Sequence, residues 1–172
     1  MVTNQIPGGL AEDLRKSKVV QSPLSPGLTL HALLAEVTHT AVIKTNQRRQ
    51  VFCLQSPTGH YFLKISTLNR RKDRLRHLLL PLRRGAEWRN LHRLKAKQVA
   101  AATPVLKGRK KGRFFFVLTE KIFGSQLTYR SDKEARAMGR YVSHIHDKGV
   151  YHGDLHPGNI ILRDGRHPCL ID

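Results

Sequence analysis

Short apolar segments in the first half of the chain predict β-strands. The segments are rich in β-branched and aromatic residues and lie at residues 32–37, 40–45, 50–55 and 61–66. Residues 56–59 (SPTG), just before the last segment, predict a turn. Proline restricts the backbone there and glycine allows conformations that other residues rarely adopt. Three antiparallel strands joined by hairpins are the simplest arrangement of these segments.

Residues 1–30 lack such a pattern, and prolines and glycines recur along them. Only a short polar segment, Ala11–Lys18, is compatible with about two turns of helix. We therefore expect residues 1–30 to form an irregular leader.

Residues 70–98 have the apolar spacing of a helix, with a kink near Pro81 and Gly85. One face of its second part is formed by Glu87, Leu91, Leu94 and Gln98. A proline-initiated strand follows, then a basic turn at residues 106–113 (LKGRKKGR). The continuous apolar run FFFVLTE, residues 114–120, predicts a buried strand.

The segment from Ser131 to Lys148 is the clearest helix in the sequence. Ser131 and Glu134 have the spacing of a capping box, and Gly149 is a typical residue to end a helix. The predicted apolar stripe consists of Ala135, Met138, Val142 and Ile145. After this helix, IILR, an Asp-Gly turn and CLID predict a short hairpin at residues 160–172.

The net charge of the chain indicates which classes of partner it can bind. Its 172 residues include 31 lysines and arginines against 12 acidic residues, a formal net charge of +19. A surface of this sign attracts phosphates, anionic lipids or nucleic acids, although charged runs are also common on surfaces that bind nothing. No aromatic residues are interleaved with basic ones as in nucleic-acid-binding motifs, so no nucleic-acid partner is expected.

The two cysteines, Cys53 and Cys169, have no metal-ligand spacing and predict a reducing compartment rather than a disulfide framework. No signal-like or membrane-spanning apolar stretch is present in the sequence. We expect a protein that is neither exported by a cleaved signal nor anchored by a helix.

Lys64 interrupts an apolar strand, and Glu87 lies on the apolar stripe of the following helix. Period-two alternation places Lys64 on the face of Phe62, where a buried ammonium needs an anion. Glu87 on a helix that packs against this sheet is the natural partner. The alternatives are a lysine solvated at its tip and a surface glutamate beside Trp88.

The last 22 residues, from Tyr151 to Asp172, carry the strongest chemical signal. Asp154, Asn159 and Asp172 supply two carboxylates and an amide oxygen on adjoining loops. Such groups bind Mg²⁺ and orient a hydroxyl for attack on a phosphoryl group. The motif therefore indicates a phosphotransferase.

Together, the strand lysine, the helix glutamate and the HGDLHPGN loop followed by LID resemble the protein-kinase-like fold. The resemblance implies an α+β, two-lobed protein with a complete N-lobe (antiparallel sheet plus helix) and a truncated C-lobe. We expect the leader at residues 1–30, the N-lobe at residues 31–120, and a partial C-lobe with hinge, helix and catalytic loop at residues 121–172.

The resemblance also implies roles for single residues, with ATP and Mg²⁺ as cofactors. Asp154 would accept the proton of the attacking hydroxyl, and Asn159 and Asp172 would bind Mg²⁺. Lys64, braced by Glu87, would contact the α- and β-phosphates. Glu120, at the end of a strand before the connector between lobes, belongs to the expected nucleotide-binding region.

The loop expected over the phosphates, residues 44–50 (KTNQRRQ), has no glycine, so its amides cannot approach phosphate as a Gly-rich loop does. Arg48 and Arg49 are expected to compensate with side-chain charge. Gly153 replaces the arginine that reads activation-loop phosphorylation in protein kinases, so such control is not expected. His156 replaces the lysine near the transferred phosphate. Both replacements are familiar in kinases of sugars and small molecules.

From about Thr40 to Asp172 the chain resembles the lipopolysaccharide core kinases of Gram-negative bacteria, which phosphorylate Kdo or heptose. The matching details are YFLKIS, the helix with Glu-Trp-x-x-Leu-x-x-Leu, and the Leu-Thr-Glu at the end of FFFVLTE. The resemblance implies a lipid-linked sugar acceptor and a cytoplasmic protein, peripheral on the anionic inner face of the inner membrane.

Two other functions stay open on sequence alone. One is a small-molecule phosphotransferase of the aminoglycoside or choline kinase-like group, and the other is a non-catalytic basic binding module. The sequence stops at Asp172, before the segment that binds the acceptor in such kinases. We therefore expect a truncated chain with low activity, in which the Ser131 helix exposes part of its apolar stripe.

Overall fold

The computed structural model describes residues 6–23, 27–68, 85–128, 131–151, 153 and 155–171. The chain divides into two compact units. The first comprises Met1–Arg89 and Thr103–Lys121, and the second comprises Asn90–Ala102 and Ile122–Asp172. None of the described helices is long and apolar enough to cross a membrane.

The first unit contains a six-stranded sheet in which every neighbouring pair is antiparallel. Its strands are β1 (Lys18–Gln21), β2 (His39–Thr45), β3 (Arg49–Ser56), β4 (Gly59–Thr67), β5 (Pro104–Lys110) and β6 (Phe114–Glu120). The order across the sheet is β1-β5-β6-β4-β3-β2. The predicted hairpins at residues 40–66 are thus confirmed. The expected basic turn is shorter than predicted, because β5 extends to Lys110.

Most of the segment at residues 32–37, predicted as a strand, is helical. Helix α2 runs Leu30–Glu36, and the side chain of Thr29 caps it by accepting a hydrogen bond from the Ala32 amide at 3.1 Å. Leu30 and Leu33 are buried at helical spacing and pack against the sheet. A short apolar segment is compatible with the periodicity of either a strand or a helix. The Thr29 cap and the helical spacing of Leu30 and Leu33 favour the helix.

The prediction of an irregular leader is wrong for the described part of residues 1–30. Helix α1 (Gly8–Arg15) precedes strand β1, which pairs with β5. Ile6, Leu10 and Leu14 recur at helical spacing and pack into the core, with Leu14 fully buried. Residues 6–21 therefore contribute side chains to the core and an edge strand to the sheet.

The core of the first unit covers the sheet face opposite Lys64. Tyr61, Leu63 and Ile65 alternate with Lys64 along β4 and are buried there with residues of both N-terminal helices. This face closes the back of the sheet, so the opposite face is the one that carries the candidate chemistry.

Helix α3 (Ala86–Ala96) is the described part of the predicted helix at residues 70–98. Leu91 and Leu94 are buried as predicted. Gln98 does not continue the face: it is exposed, with φ 55°, after the helix has ended. The amides of Gln98 and Val99 bond back to Lys95 and Leu94, a Schellman ending that turns the chain away. Residues 69–84, including Pro81, lie outside the described residues.

The second unit contains the rest of α3, helix α4 (Asp132–Asp147), and an antiparallel sheet of β7 (Ser125–Gln126), β8 (Ile160–Arg163) and β9 (His167–Leu170). The predicted cap is confirmed: the Ser131 hydroxyl accepts a hydrogen bond from the Glu134 amide at 3.2 Å. Gly149, with φ 63°, ends α4 as predicted. Met138, Tyr141 and Ile145 are its buried residues, whereas Ala135 is exposed.

Candidate active site

Lys64 and Glu87, paired by prediction, form an ion pair in the first unit. Lys64 lies on β4 between β3 and β6, where its register partners are Val51 and Val117. Its Nζ is 2.7 Å from Oε1 of Glu87, and the side chain is 9% exposed. An ammonium this buried needs a counter-charge, and Glu87 supplies it.

Glu87 is held in place by the start of α3. Gly85 takes the left-handed conformation, with φ 67°, and its carbonyl accepts the amide of Arg89, which opens the helix. The first helical turn favours a carboxylate because of the helix dipole. Beside Glu87, Trp88 is buried under the ammonium of Lys107, which lies 5.2 Å from the ring centroid. The alternative of a surface glutamate beside Trp88 does not hold, because the Glu87 side chain is 20% exposed and paired with Lys64.

A second cation, Arg49, shares the carboxylate of Glu87. Its Nη2 lies 3.3 Å from Oε2, the oxygen that faces away from the lysine contact. The side chains of Arg49 and Glu87 are 33% and 20% exposed, so water screens this pair only in part. The carboxylate of Glu87 on α3 thus contacts residues of both β3 and β4.

The β2–β3 turn, expected over the phosphates, is fixed by its own side chains. Oδ1 of Asn46 accepts the amides of Arg48 at 2.9 Å and Arg49 at 2.8 Å. Thr67 on β4 bonds to the carbonyls of Gln47, through its hydroxyl, and Arg48, through its amide. The amides of Arg48 and Arg49 are therefore committed within the turn, and the exposed Arg48 side chain is the group this turn offers to an anion.

Glu120 is the exposed last residue of β6. Its amide donates to the carbonyl of Thr103 at 2.9 Å. The amide of the next residue, Lys121, donates to the backbone carbonyl of His60 at 2.9 Å. The Lys121 ammonium lies 6.0 Å from the ring centroid of Phe62, which shares the face of Lys64. Glu120 is thus placed at the strand end by backbone bonds, and its register partner on β4 is Tyr61, which lies on the face opposite Lys64.

In the second unit, Asn159 occupies the end of a 3₁₀ turn, Pro157–Asn159, and is 9% exposed. The ring of His156 caps this turn, because its Nδ1 accepts the Gly158 amide at 3.0 Å. A Cβ on Gly158 would lie 2.7 Å from that ring, so the close approach requires glycine. The capping role of His156 goes beyond its predicted role as a replacement for lysine, and the spacing of a side-chain acceptor before Pro-Gly is the sequence signal for it.

The remaining predicted residues of this loop, Asp154 and Asp172, lie outside the described residues. Their neighbours are described: the amide of Ile171 donates to the carbonyl of Asn159 at 3.0 Å. The hairpin of β8 and β9, turning through Asp164 and Gly165 at positive φ, makes this contact possible. An amide oxygen and carboxylates are a donor set that suits Mg²⁺.

Tyr141 and Cys169 are buried groups of the second unit. The Tyr141 hydroxyl donates to the carbonyl of Ala100 at 2.9 Å, and burial raises the pKa of Tyr141 well above its usual range. Burial also raises the pKa of the Cys169 thiol. Cys169 is a free cysteine, and the raised pKa values of Tyr141 and Cys169 reflect packing within the second unit rather than a reactive centre.

The fold resembles the solved structures of two proteins, WaaP and WbdD. WaaP, solved in complex with acyl carrier protein, matches with a TM-score of 0.56 and 21% identity over 90% of this chain and 70% of the WaaP chain. WbdD, solved with the kinase inhibitor LY294002, matches with a TM-score of 0.55 and 17% identity over 79% of this chain and 32% of its own. At these identities the likeness shows the fold, which is protein-kinase-like.

A second WbdD structure, described as a bifunctional kinase-methyltransferase, matches with a TM-score of 0.51 and 18% identity over 73% of this chain and 29% of its own. No curated protein matches the sequence. The sequence does match a family of phosphotransferases over residues 32–172, which include Lys64, Glu87 and the HGDLHPGN loop. The chain belongs to the lipopolysaccharide kinase (Kdo/WaaP) family.

Proposed function

We propose that the protein transfers the γ-phosphoryl group of ATP to a hydroxyl of Kdo or heptose in the inner core of lipopolysaccharide. The observation that carries this proposal is the ion pair between Lys64 and Glu87, with its 2.7 Å contact on a buried central strand of a lipopolysaccharide-kinase family member. A buried lysine held by a helix carboxylate is the arrangement with which kinases bind the nucleotide phosphates.

Lys64 supplies the charge for the α- and β-phosphates in this proposal, and Glu87 fixes its direction. Arg48, exposed on the β2–β3 turn, adds charge where a Gly-rich loop would offer amides. Glu120 belongs to the strand end from which backbone groups bond the adenine edge. These assignments follow the kinase pattern, and the described contacts of Lys64 and Glu87 support them.

Asp154 takes the proton of the acceptor hydroxyl in this proposal, and Asn159 and Asp172 hold Mg²⁺. When bound, Mg²⁺ neutralises the charge of the phosphate oxygens. The described part of the loop suits this role, since the turn capped by His156 fixes Asn159, and Ile171 bonds to its backbone.

A lipid-linked sugar acceptor and the anionic inner face of the inner membrane are the proposed partners, with the protein peripheral on the cytoplasmic side. The net charge of +19 favours both, because anionic lipids and phosphorylated sugars attract a basic surface. The acyl carrier protein seen with WaaP is a second candidate partner.

The test is phosphoryl transfer from labelled ATP to inner-core lipid A, with a panel of soluble alcohols, including aminoglycosides and choline, in parallel. We expect label in the core lipid, and loss of most turnover in Asp154→Ala and Lys64→Met. Label that enters only the soluble acceptors would identify a small-molecule kinase instead. Core-lipid or vesicle binding that survives with no transfer under any condition would indicate a basic binding module.

A further inference from the structure

One carboxylate, that of Glu87, serves two cations through its two oxygens. Oε1 faces Lys64 at 2.7 Å and Oε2 faces Arg49 at 3.3 Å, so the two contacts do not compete for the same atom. The register of β3 and β4 explains the geometry. Val51 pairs with Lys64, and Arg49 lies two residues before Val51, which places it on the same face of the sheet.

Arg49 is also the first residue of β3, directly after the β2–β3 turn. The turn is internally rigid, because its amides bond to Asn46, and Thr67 ties two of its carbonyls to β4. These hydrogen bonds do not connect the turn to α3. The guanidinium of Arg49 makes that connection through Glu87. A Gly-rich loop reaches phosphate by flexibility, whereas this turn is held in one place.

We propose that Arg49 is a positioning residue that acts through Glu87: it anchors the glycine-free turn beside Lys64 so that Arg48, its neighbour, faces the nucleotide phosphates. The part about phosphates rests on the proposed kinase function, but the anchoring does not. Arg48 and Arg49 then have different roles, since Arg48 is exposed and Arg49 is bound to the carboxylate.

The first experiment measures amide hydrogen exchange at Asn46, Arg48, Arg49 and Thr67 in the wild type, Arg49→Gln, Arg49→Lys and Arg109→Gln. Arg109 is an exposed arginine of β5, so its substitution matches the charge change. We expect exchange of the turn amides to rise about fivefold in Arg49→Gln, to be partly restored in Arg49→Lys, and to stay at the wild-type rate in Arg109→Gln. Unchanged exchange in Arg49→Gln, or an equal rise in Arg109→Gln, overturns the anchoring.

The second experiment is a double-mutant cycle on ATP binding with Arg49→Gln and Glu87→Gln. If Arg49 acts through Glu87, Arg49→Gln weakens ATP binding about fivefold in the wild type but causes little further loss in the Glu87→Gln background. An equal loss in both backgrounds would mean that Arg49 contacts the nucleotide directly, which contradicts the proposal. A wild type that binds no ATP contradicts the proposed function instead, and amide exchange then decides the anchoring alone.

Discussion

Glu87 lies between the ammonium of Lys64 and the guanidinium of Arg49, and the two cations depend on it unequally. Lys64 is 9% exposed and has little access to water, while Arg49 is 33% exposed. We expect Glu87→Ala to lower the free energy of unfolding by roughly 2–3 kcal/mol, less than a fully buried pair because the carboxylate keeps some solvent contact. Lys64→Met leaves Glu87 paired with Arg49 and should cost less than about 1 kcal/mol.

Urea denaturation of both variants, with Arg109→Gln as a surface control, measures this order. Equal losses for Glu87→Ala and Lys64→Met would contradict a carboxylate shared by two cations. A loss in the control would show that the effect is one of net charge rather than of the ion pair.

Gly158→Ala should destabilise the loop that holds Asn159. The new Cβ would meet the His156 ring at 2.7 Å, and a contact that short forces the ring or the backbone to move at a cost of about 1–3 kcal/mol. Gly153→Ala in the same loop is a matched control, because no atom of the other described residues lies within 4 Å of its Cβ position. Thermal unfolding of the two variants checks the difference.

Addition of His156→Ala to Gly158→Ala separates the clash from other effects. With the ring removed, the alanine has room, so the double variant should be more stable than the sum of the two single losses predicts. Strict additivity would show that the ring is not what excludes a side chain at residue 158.

Cys169 should react with thiol reagents more slowly than Cys53. Burial raises the pKa of Cys169, so at pH 8 a smaller fraction is thiolate, and the side chain is 3% exposed, whereas Cys53 is half-buried. Labelling of Cys53→Ala and Cys169→Ala assigns each rate. Equal rates in the folded protein would contradict the burial, and equal rates in urea are the control.

The same shift sets a pH dependence of stability. The folded protein favours the neutral thiol of Cys169. The contribution of this thiol to the free energy of unfolding is therefore complete below the ordinary thiol pKa and is lost as the pH rises through the raised pKa of the folded state. Alkaline destabilisation should therefore be weaker in Cys169→Ala than in the wild type, as measured by urea denaturation across that pH range.

Leu14→Ala should destabilise the first unit by about 2–5 kcal/mol, since Leu14 is fully buried in the sheet core. Arg15→Ala, which changes an exposed residue of the same helix, should cost less than about 0.5 kcal/mol. Chemical denaturation distinguishes the two. A loss for Leu14→Ala no larger than that for Arg15→Ala would mean that residues before β1 are not part of the core.

The sequence sufficed for features set by local periodicity. Two-residue alternation placed Lys64 on a mixed sheet face, and helical spacing turned Glu87 toward the core, so their pairing followed from the need of each charge for the other. Ser131 and Gly149 marked the ends of α4 because capping chemistry is local.

Features that depend on distant contacts were not predictable in this way. The contact of Arg49 with Glu87 depends on the register between β3 and β4 and on the packing of α3, so the sequence suggests a phosphate contact for Arg49 and does not separate it from Arg48. Helix α2 was mistaken for a strand because its apolar run is short, and β1 was missed because its partner lies in β5. The roles of Asp154 and Asp172 stay predictions.

The pairing of β1 with β5 affects the order in which the strands join the sheet during synthesis. Val19 leaves the ribosome early, but its register partner is Gly108, which emerges much later. Closing so long a loop is entropically costly, and contacts between distant residues slow folding. The β2–β3–β4 hairpins can form as soon as they are synthesised. We therefore expect the edge strand nearest the start of the chain to be the last to join the sheet.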